Sequence, residues 1–194
     1  MKRVGLTGNI GSGKTTVARI FEALHVPVFY SDQAAKGLYD IPEVRKQVQA
    51  LFPEEELFSN GIFQKSTLAS LVFTQPESLA RLNKLMHPLV EDLFQQWQAR
   101  LAPVPYVVQE SAILFEHGFQ SRFFKVLLVT SPESIRLSRV MQRDGIGVEE
   151  ALDRMKNQMT EEKKLALADY VIVNDNLQMI IPQVMEIHRA LSVG

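Results

Sequence analysis

The sequence lacks cysteine, a long hydrophobic run and an appreciable net charge. Cysteine is absent from all 194 residues, so neither a disulfide framework nor a cysteine-ligated zinc site can form. No apolar run approaches the roughly 18 residues of a membrane-spanning helix, and the first residues, MKRVGLTG, contain no apolar signal-peptide core. Lys and Arg number 21 against 22 Asp and Glu, a net charge of −1, which gives no general basic field for nucleic acid. We therefore expect a cytoplasmic protein that binds neither membrane nor nucleic acid.

The composition is that of an ordinary globular protein. Hydrophobic residues make up 46% of the chain and charged residues 22%, which argues against extensive disorder. A chain of this length suits one compact domain with room for a small insertion.

Five short apolar runs are predicted to be β-strands, and helical patterns lie between most of them. The runs are RVGLT (3–7), VPVFY (26–30), YVVQ (106–109), KVLLVT (125–130) and YVIVN (170–174). Strands that alternate with helices predict a parallel sheet with helices on both faces. The first helix is predicted over about 13–24, because apolar residues recur there at helical spacing.

Residues 36–101, between the second and third strands, are helical in pattern and contain no strong strand. Their clearest feature is an apolar stripe with steps of three and four, formed by Leu79, Leu82, Met86, Leu89, Leu93 and Trp97. Such a stripe favours core packing, and Pro88 is expected to break or restart the helix. An inserted helical subdomain is predicted here, and a second helical piece over about 132–168 separates the last two strands.

A glycine-rich stretch, GLTGNIGSGKTTVARIF (5–21), follows the first predicted strand. It fits the P-loop pattern G-x-x-x-x-G-K-[ST], with Gly8, Gly13, Lys14 and Thr15 at the fixed positions. A random chain of this length matches four such positions with a probability on the order of one percent. Because the match also lies between a strand and an amphipathic helix, it predicts a phosphate-binding loop.

The residue types in this loop suit a nucleoside triphosphate. Glycines lack a Cβ, so the backbone can turn its N–H groups towards phosphate oxygens, and the following helix adds the positive end of its dipole. Lys14 can reach the outer phosphates, and the Thr15 hydroxyl can ligate Mg²⁺. The expected nucleotide-binding residues of the loop are Gly8, Gly11, Ser12, Gly13, Lys14, Thr15 and Thr16.

The P-loop alone does not select a reaction, since GTPases, motor ATPases and small-molecule kinases all use it. A GTPase needs a guanine-reading Asn-Lys-x-Asp, and the nearest string, NKLM (83–86), lacks the Asp. A transport or motor ATPase usually has a strand that ends in acidic residues, and YVVQE offers only Glu110. A small-molecule kinase needs a base and a cationic cover over the transferring phosphoryl group, and both have candidates here.

Asp32 is the candidate base. It follows the second predicted strand, in VFYSDQAAKG, and the carboxyl ends of parallel strands line the ligand crevice of an open sheet. The alternative is a helix N-cap, since SDQAA precedes a helix. Position alone does not separate the two roles.

The candidate cover is RLSRVMQRDGIGVEEALDRM (136–155). Arg139 and Arg143 are four residues apart and share a helix face, and guanidinium groups on a closing lid suit the charge of a transferring phosphoryl group. The alternative is a solvated helix whose arginines form salt bridges with Asp144, Glu149, Glu150 and Asp153.

Over nearly its whole length the chain resembles the dephospho-CoA kinase family. The matching pieces are VGLTGNIGSGKTTVA, SDQAAKGLY, LMHPLV, AILFE and RLSRVMQRDGIGVEEALDRMKNQMTEEKKLALADYVIVND. The last piece is the most specific, because its order of Arg, Asp-Gly, Gln-Met, Lys and Ala-Asp is hard to find in other P-loop kinases. The resemblance implies transfer of the ATP γ-phosphoryl group to the ribose 3′-hydroxyl of dephospho-CoA, the last step of coenzyme A synthesis.

The resemblance also implies three parts of one continuous chain. These are a P-loop NTPase-type nucleotide-binding core (1–35, 102–135 and 166–194), a helical CoA-binding subdomain (36–101) and a helical lid (136–165). We expect a monomer or a weak homo-oligomer that takes ATP and dephospho-CoA as substrates and Mg²⁺ as cofactor. The alternatives are another nucleoside or nucleotide kinase and a nucleotide-binding switch without turnover.

Individual site residues follow from the same resemblance. It implies that Asp32 is the base and that Arg139 and Arg143 are lid residues that face phosphate. It places Arg81, His87 and Glu110 in the acceptor site and Asn174 against adenine. For His87, which precedes a proline, a capping or helix-boundary role is the simple alternative.

The chain departs from the family pattern near the acceptor site. Tyr30 stands where the family often has a first aspartate, two places before Asp32. The family's D-x-P-L-L-F-E is ESAILFE here, with Glu110 as the acid and Ala112 in place of the proline. Lys36 stands where arginine is common. These departures bear on acceptor geometry rather than on the reaction.

Overall fold

The computed structural model describes residues 1–193, and the side chains of all of these except residue 73. The chain divides into two compact units. One unit is built from Met1–Tyr30 and Leu101–Gly194, and the other is Ser31–Arg100. In residues 1–193, no helix is both long enough and apolar enough to cross a membrane.

Strands and helices alternate along the chain, as the apolar pattern predicts. The strands are β1 (Lys2–Gly8), β2 (Val28–Tyr30), β3 (Phe58–Ser59), β4 (Ile62–Phe63), β5 (Tyr106–Glu110), β6 (Lys125–Thr130) and β7 (Tyr170–Val173). The helices are α1 (Lys14–Ala23), α2 (Ser31–Leu38), α3 (Pro42–Leu51), α4 (Lys65–Thr74), α5 (Pro76–Ala99), α6 (Glu133–Asp144), α7 (Val148–Lys156), α8 (Glu161–Leu165) and α9 (Ile180–Ser192), with a short 3₁₀ helix at Phe119–Arg122.

The first unit is a five-stranded parallel sheet with the strand order β2-β5-β1-β6-β7. The predicted fold class is confirmed. All of β5, and most of β1 and β6, is buried, which is why these strands are continuous apolar runs without alternation. The central position of β1 places the loop that follows it in the middle of the carboxyl edge of the sheet.

Helices α1 and α9 pack on the sheet through one apolar core. Val17 and Phe21 of α1 are fully buried in it, with Val184 and Ile187 of α9. The rings of Phe21 and Tyr106 meet edge to face, with 6.4 Å between their centroids. Burial of one such side chain contributes about 1.5–3 kcal/mol. This packing fixes the start of α1, and therefore the loop between β1 and α1.

The second unit is helical, with a small hairpin formed by β3 and β4. Leu82 and Met86 of the predicted stripe are buried in its core, where they pack with residues such as Phe52 and Leu57. Leu79, in contrast, is 42% exposed. The hairpin strands have two residues each, which is too short for an alternating pattern to reveal them.

Pro88 does not break its helix, and that expectation is wrong. Helix α5 runs through it from Pro76 to Ala99. The ring removes one backbone hydrogen bond, at a cost of about 3 kcal/mol, but buried apolar residues anchor the helix on both sides, with Met86 before the proline and Phe94 after it. Pro76 takes the first-turn position instead. His87 therefore lies inside a helix, not at a helix boundary.

Candidate active site

The predicted P-loop is a tight turn from β1 into α1. The Ser12 N–H donates to the Asn9 carbonyl oxygen at 3.0 Å, and the Gly13 carbonyl accepts the N–H groups of Thr16 and Val17 at 3.0 and 3.2 Å. Gly13 is the N-cap of α1, with φ 97°. The helix therefore begins directly at the loop, with its positive end towards it.

Glycine is required in this loop by close packing as well as by backbone conformation. A Cβ at Gly11 would lie 2.6 Å from the carbonyl oxygen of Arg136 on α6, and Gly11 has φ +79°. A Cβ at Gly13 would collide with the side-chain amide of Asn174. The bare backbone thus lets α6 and the end of β7 approach the loop.

Lys14 and Ser12 place polar groups at the loop. The Lys14 Nζ donates to the Gly8 carbonyl oxygen at 2.9 Å and lies 3.5 Å from that of Asn9. Ser12 is fully buried, and its Oγ has no hydrogen-bond partner within residues 1–193. Thr15 and Thr16 are exposed in the first turn of α1. One ammonium group and three hydroxyls are therefore concentrated at the start of this helix.

Arg139 of α6 reaches across to the P-loop. Its Nη1 donates to the Gly11 carbonyl oxygen at 3.3 Å, and its Nη2 donates to the side-chain oxygens of Asn174 and Asn176 at 3.3 and 2.6 Å. The guanidinium group thus joins α6, the P-loop and the residues after β7.

Asn174 completes this link. It is buried at the end of β7, and its backbone N–H donates to the Thr130 carbonyl at 2.9 Å. Its side-chain Nδ2 donates to the Ser12 carbonyl at 2.7 Å, while its Oδ1 accepts from Arg139. Asn174 is therefore held in one orientation, against the P-loop.

Arg143 does not join Arg139 at the loop. It is 61% exposed, and its Nε and Nη2 bind the two carboxylate oxygens of Asp144 at 2.7 and 2.9 Å. Arg154 binds Asp144 as well, at 2.9 Å, and Glu150 at 2.7 Å. The Arg143 hydrogen bond lowers the pKa of Asp144, and the same bond raises the pKa of Arg143. The salt-bridge alternative thus describes Arg143 in this structure.

Asp32 lies in the first turn of α2, since the helix begins at Ser31. The N-cap alternative is therefore not what the structure shows. A carboxylate in the first turn still interacts favourably with the helix dipole. Its side chain is exposed, and only Ser31 separates it in sequence from the end of β2 at Tyr30.

The proposed acceptor residues lie in different surroundings. Arg81 is on α5, where it binds the Leu51 carbonyl oxygen and lies over the Phe52 ring at 5.2 Å. His87 is half-buried on the same helix. Glu110 is buried at the end of β5, level with Tyr30 of β2 and Leu6 of β1.

Tyr30, which replaces the family's first aspartate, remains a neutral hydroxyl. Burial, together with the charge of Glu22 and a hydrogen bond to it, raises the pKa of Tyr30 to about 12, and the charge of Glu110 adds to the effect. Tyr30 therefore supplies a hydrogen-bonding group without a negative charge at this edge of the sheet.

The comparisons with known proteins agree on one family. The dephospho-CoA kinase profile matches residues 2–179. The dephospho-CoA kinase of Bacteroides fragilis strain YCH46 is 35% identical over 186 residues, which cover 95% of this chain and 90% of that protein.

The chain belongs to the dephospho-CoA kinase family.

Solved structures agree with that membership. A crystal structure of a Thermus thermophilus protein has a TM-score of 0.89 and 36% identity, and it covers 100% of this chain and 98% of its own. Dephospho-CoA kinase from Campylobacter jejuni has a TM-score of 0.65 and 25% identity, with 98% and 96% covered. As a member of this family of kinases, the protein is a phosphotransferase with a P-loop nucleotide-binding fold.

A link between the predicted lid and the P-loop escaped the sequence reasoning. The Ile10 N–H donates to the Gln158 side-chain oxygen at 2.7 Å. The next residue, Met159, donates its N–H to Glu116 at 3.1 Å, and Glu116 also pairs with the fully buried Lys164 at 2.7 Å. The stretches that resemble the family contain all four of these residues, Glu116, Gln158, Met159 and Lys164. The stretches do not, however, predict which residue each of them contacts.

A metal site made entirely by protein is not present in the described part of the chain. Residues 1–193 contain no group of three or more His, Asp and Glu side chains that could hold a metal ion. The hydroxyl of Thr15, exposed at the start of α1, is a hard oxygen donor of the kind that Mg²⁺ prefers. The P-loop therefore fits a magnesium ion that takes its remaining ligands from phosphate and water.

Proposed function

We propose that the protein transfers the γ-phosphoryl group of ATP to the ribose 3′-hydroxyl of dephospho-CoA, which yields coenzyme A and ADP. The observation that carries the proposal is the P-loop with Lys14 and Arg139 bound directly to its carbonyl oxygens. Two cations held at a loop of glycines and helix N–H groups suit a polyphosphate, since phosphoryl transfer is catalysed mainly by positioning and charge stabilisation.

Lys14 is proposed to exchange its carbonyl partners for the β- and γ-phosphates when ATP binds. The Gly8 carbonyl that holds it now is a neutral acceptor, and a charged phosphate oxygen forms the stronger hydrogen bond. Ser12, Gly13, Thr15 and Thr16 would bind phosphate through backbone N–H groups or hydroxyls. The Thr15 hydroxyl would hold Mg²⁺, which supplies charge neutralisation between the phosphates.

Arg139 and Arg143 are proposed to act at different stages. Arg139 already contacts the P-loop and would bind the phosphates in the ground state as well as in the transition state. Arg143 is turned to Asp144 and would have to leave that carboxylate to contact the phosphoryl oxygens. Asn174, beside Arg139, is proposed to contact the adenine of ATP.

Asp32 is proposed to accept the proton of the 3′-hydroxyl. A carboxylate needs only hydrogen-bond contact with the hydroxyl to serve as a base. The transition state of phosphoryl transfer is loose, so the carboxylate first orients the hydroxyl and takes its proton late. Arg81, His87 and Glu110 are proposed to position the acceptor.

The test is ADP release by the purified protein with a panel of acceptors, in buffer with Mg²⁺. We expect release to depend on dephospho-CoA and to stop when the metal is removed by chelation. Preference for adenylates or nucleosides would favour another nucleotide kinase, and nucleotide binding without acceptor turnover would favour a switch. A monomer or weak homo-oligomer in the cytoplasm remains part of the proposal, and sedimentation at assay concentration tests the association state.

A further inference from the structure

Gln158, two residues after the end of α7, binds the backbone of the P-loop. Its side-chain oxygen accepts the N–H of Ile10 at 2.7 Å, and both residues are half-buried. The two residues are 148 positions apart in the chain. None of the roles proposed for the site uses this contact.

The bond orients the peptide group between Asn9 and Ile10. A peptide group is planar and trans, so its N–H and its carbonyl point in opposite directions. The carbonyl of this peptide, on Asn9, accepts the Ser12 N–H at 3.0 Å and lies 3.5 Å from the Lys14 Nζ. By holding the N–H on one side, Gln158 therefore directs the carbonyl towards Ser12 and Lys14 on the other.

The same peptide belongs to a tight turn at the tip of the loop. The hydrogen bond from the Ser12 N–H to the Asn9 carbonyl closes this four-residue turn. Its third residue, Gly11, has φ +79°, which is the positive value that a type II turn requires there. Arg139 donates to the Gly11 carbonyl at 3.3 Å. The two central residues of the turn are thus each bound by one side chain from outside the loop, the first by Gln158 and the second by Arg139.

These two side chains come from opposite ends of the predicted lid (136–165). Arg139 lies near its start, on α6, and Gln158 lies near its end, after α7. The bond of Gln158 adds nothing to a cover over the phosphates, because it is made to the backbone of the loop and not to a ligand. The contact therefore needs a use other than covering the site.

Gln158 is itself held in place by a buried network. The next residue, Met159, donates its N–H to the Glu116 carboxylate at 3.1 Å, and its side chain packs against an apolar core cluster. Glu116 pairs with Lys164 at 2.7 Å, and Lys164 is fully buried. Such bonds are stronger in a low-dielectric interior than in water. The core of the unit thus determines where the Gln158 side chain begins.

We propose that Gln158 is a positioning residue of the phosphoryl-donor site. It contacts no reacting group. By orienting the peptide between Asn9 and Ile10, it holds the turn and Lys14 in the arrangement that receives the phosphates of ATP. The assignment rests on the proposed function, because it takes the P-loop as the site of ATP.

The test removes the acceptor oxygen in two different ways. Gln158→Met keeps the length of the side chain but offers the Ile10 N–H only a weak thioether acceptor, and Gln158→Asn keeps the amide but is one methylene too short. Gln96→Met, at an exposed glutamine of α5, is the matched control. Calorimetry with ADP measures binding, amide hydrogen exchange followed by NMR reports on the Ile10 bond, and melting temperatures report folding.

We expect both Gln158 variants to weaken ADP binding about tenfold, as is usual when a part-buried donor loses its partner. Exchange of the Ile10 amide should become at least ~10-fold faster, because the N–H is no longer held. The KM for ATP should rise by a factor similar to that for ADP, whereas the KM for dephospho-CoA should stay within twofold, since the bond is made to the donor loop. The control should match the unaltered protein in each measurement.

Three results would overturn the assignment. ADP affinity within twofold in both variants would mean that the loop keeps its shape without Gln158, and weaker ADP binding without faster Ile10 exchange would rule out the bond as the cause. Equal rises in both KM values, with a lower melting temperature, would give Gln158 a general structural role. Turnover of dephospho-CoA by the unaltered protein is measured separately. Its absence would contradict the proposed function, whereas ADP binding and amide exchange test the positioning role without turnover.

Discussion

The side-chain amide of Asn174 donates to the carbonyl oxygen of Ser12 at 2.7 Å. This bond joins the carboxyl end of β7 to the P-loop, although the two residues are 162 positions apart in the chain. Arg139 binds the side-chain oxygen of Asn174 and the carbonyl oxygen of Gly11, the residue before Ser12. The shape of the loop is thus fixed by residues from three separate parts of the sequence.

Asn174→Ala should weaken ATP binding by about tenfold. The substitution leaves the buried Ser12 carbonyl without its donor, and loss of one such partner costs about 1–3 kcal/mol. Calorimetric titration with a non-hydrolysable ATP analogue measures the change. Asn157→Ala, at an exposed asparagine after α7, is the matched control, and ATP affinity within twofold in both variants would contradict the structural link.

Arg143→Ala should lower kcat more than it raises the KM for dephospho-CoA. In this structure the guanidinium group binds Asp144 and not the P-loop, so we expect its main contribution in the transition state, when charge is redistributed on the phosphoryl oxygens. Steady-state kinetics with each substrate varied in turn separates the two parameters. Unchanged kcat with only a raised acceptor KM would assign Arg143 to ground-state binding.

The Asp144 salt bridges should make a pH-dependent contribution to stability. Because Arg143 lowers the pKa of Asp144, the contribution is complete above the ordinary aspartate pKa of about 3.9 and is lost as the pH falls through the lowered pKa of the folded state. The melting temperatures of the unaltered protein and of Asp144→Asn are compared between pH 7 and pH 3. We expect the difference to shrink only below about pH 4, and a constant difference over this range would disprove the coupling.

Much of this fold follows from local patterns, whereas the contacts of the site do not. Strand β6 has the bounds that its apolar run predicts, and the glycine spacing locates the P-loop, because both depend on neighbours in sequence. The local pattern predicts a helix break at Pro88, but the helix continues through it, because burial of Met86 and Phe94 on either side outweighs the helix-breaking tendency of proline. The partner of Gln158 was not predictable either, since its bond to Ile10 spans 148 positions.

The charges of the site show the same division. Spacing correctly placed Arg139 and Arg143 on one helix, α6. The spacing does not predict that Arg139 binds Gly11 whereas Arg143 binds the adjacent Asp144. The partner of each arginine depends on how closely the P-loop approaches the helix and on the carboxylates nearby. The roles proposed for Asp32, Arg81, His87 and Glu110 stay predictions.

Asp32→Asn should lower kcat by ~10²–10⁴, the usual range for a general base, and leave ATP binding nearly unchanged. The amide keeps the shape of the carboxylate but cannot take the proton. A role limited to the helix dipole predicts only a loss of about 0.3–1 kcal/mol in stability. Measurement of kcat and melting temperature on this one variant separates the two roles, and near-parental kcat would move the base elsewhere, with Glu110 as the next candidate.

The central claim is that the protein, through a P-loop that ends at Lys14, transfers the γ-phosphoryl group of ATP to the ribose 3′-hydroxyl of dephospho-CoA. Phosphorus NMR of the reaction mixture, with ATP, Mg²⁺ and dephospho-CoA, identifies the product directly. We predict a new phosphomonoester on the ribose 3′-oxygen, formed at least ~10²-fold more slowly by Lys14→Ala, because that change removes a preorganised charge from the site. The exposed Lys163→Ala should react as the unaltered protein does. Phosphate on another hydroxyl, no phosphorylated acceptor, or a Lys14→Ala rate within threefold of the parent would contradict the account.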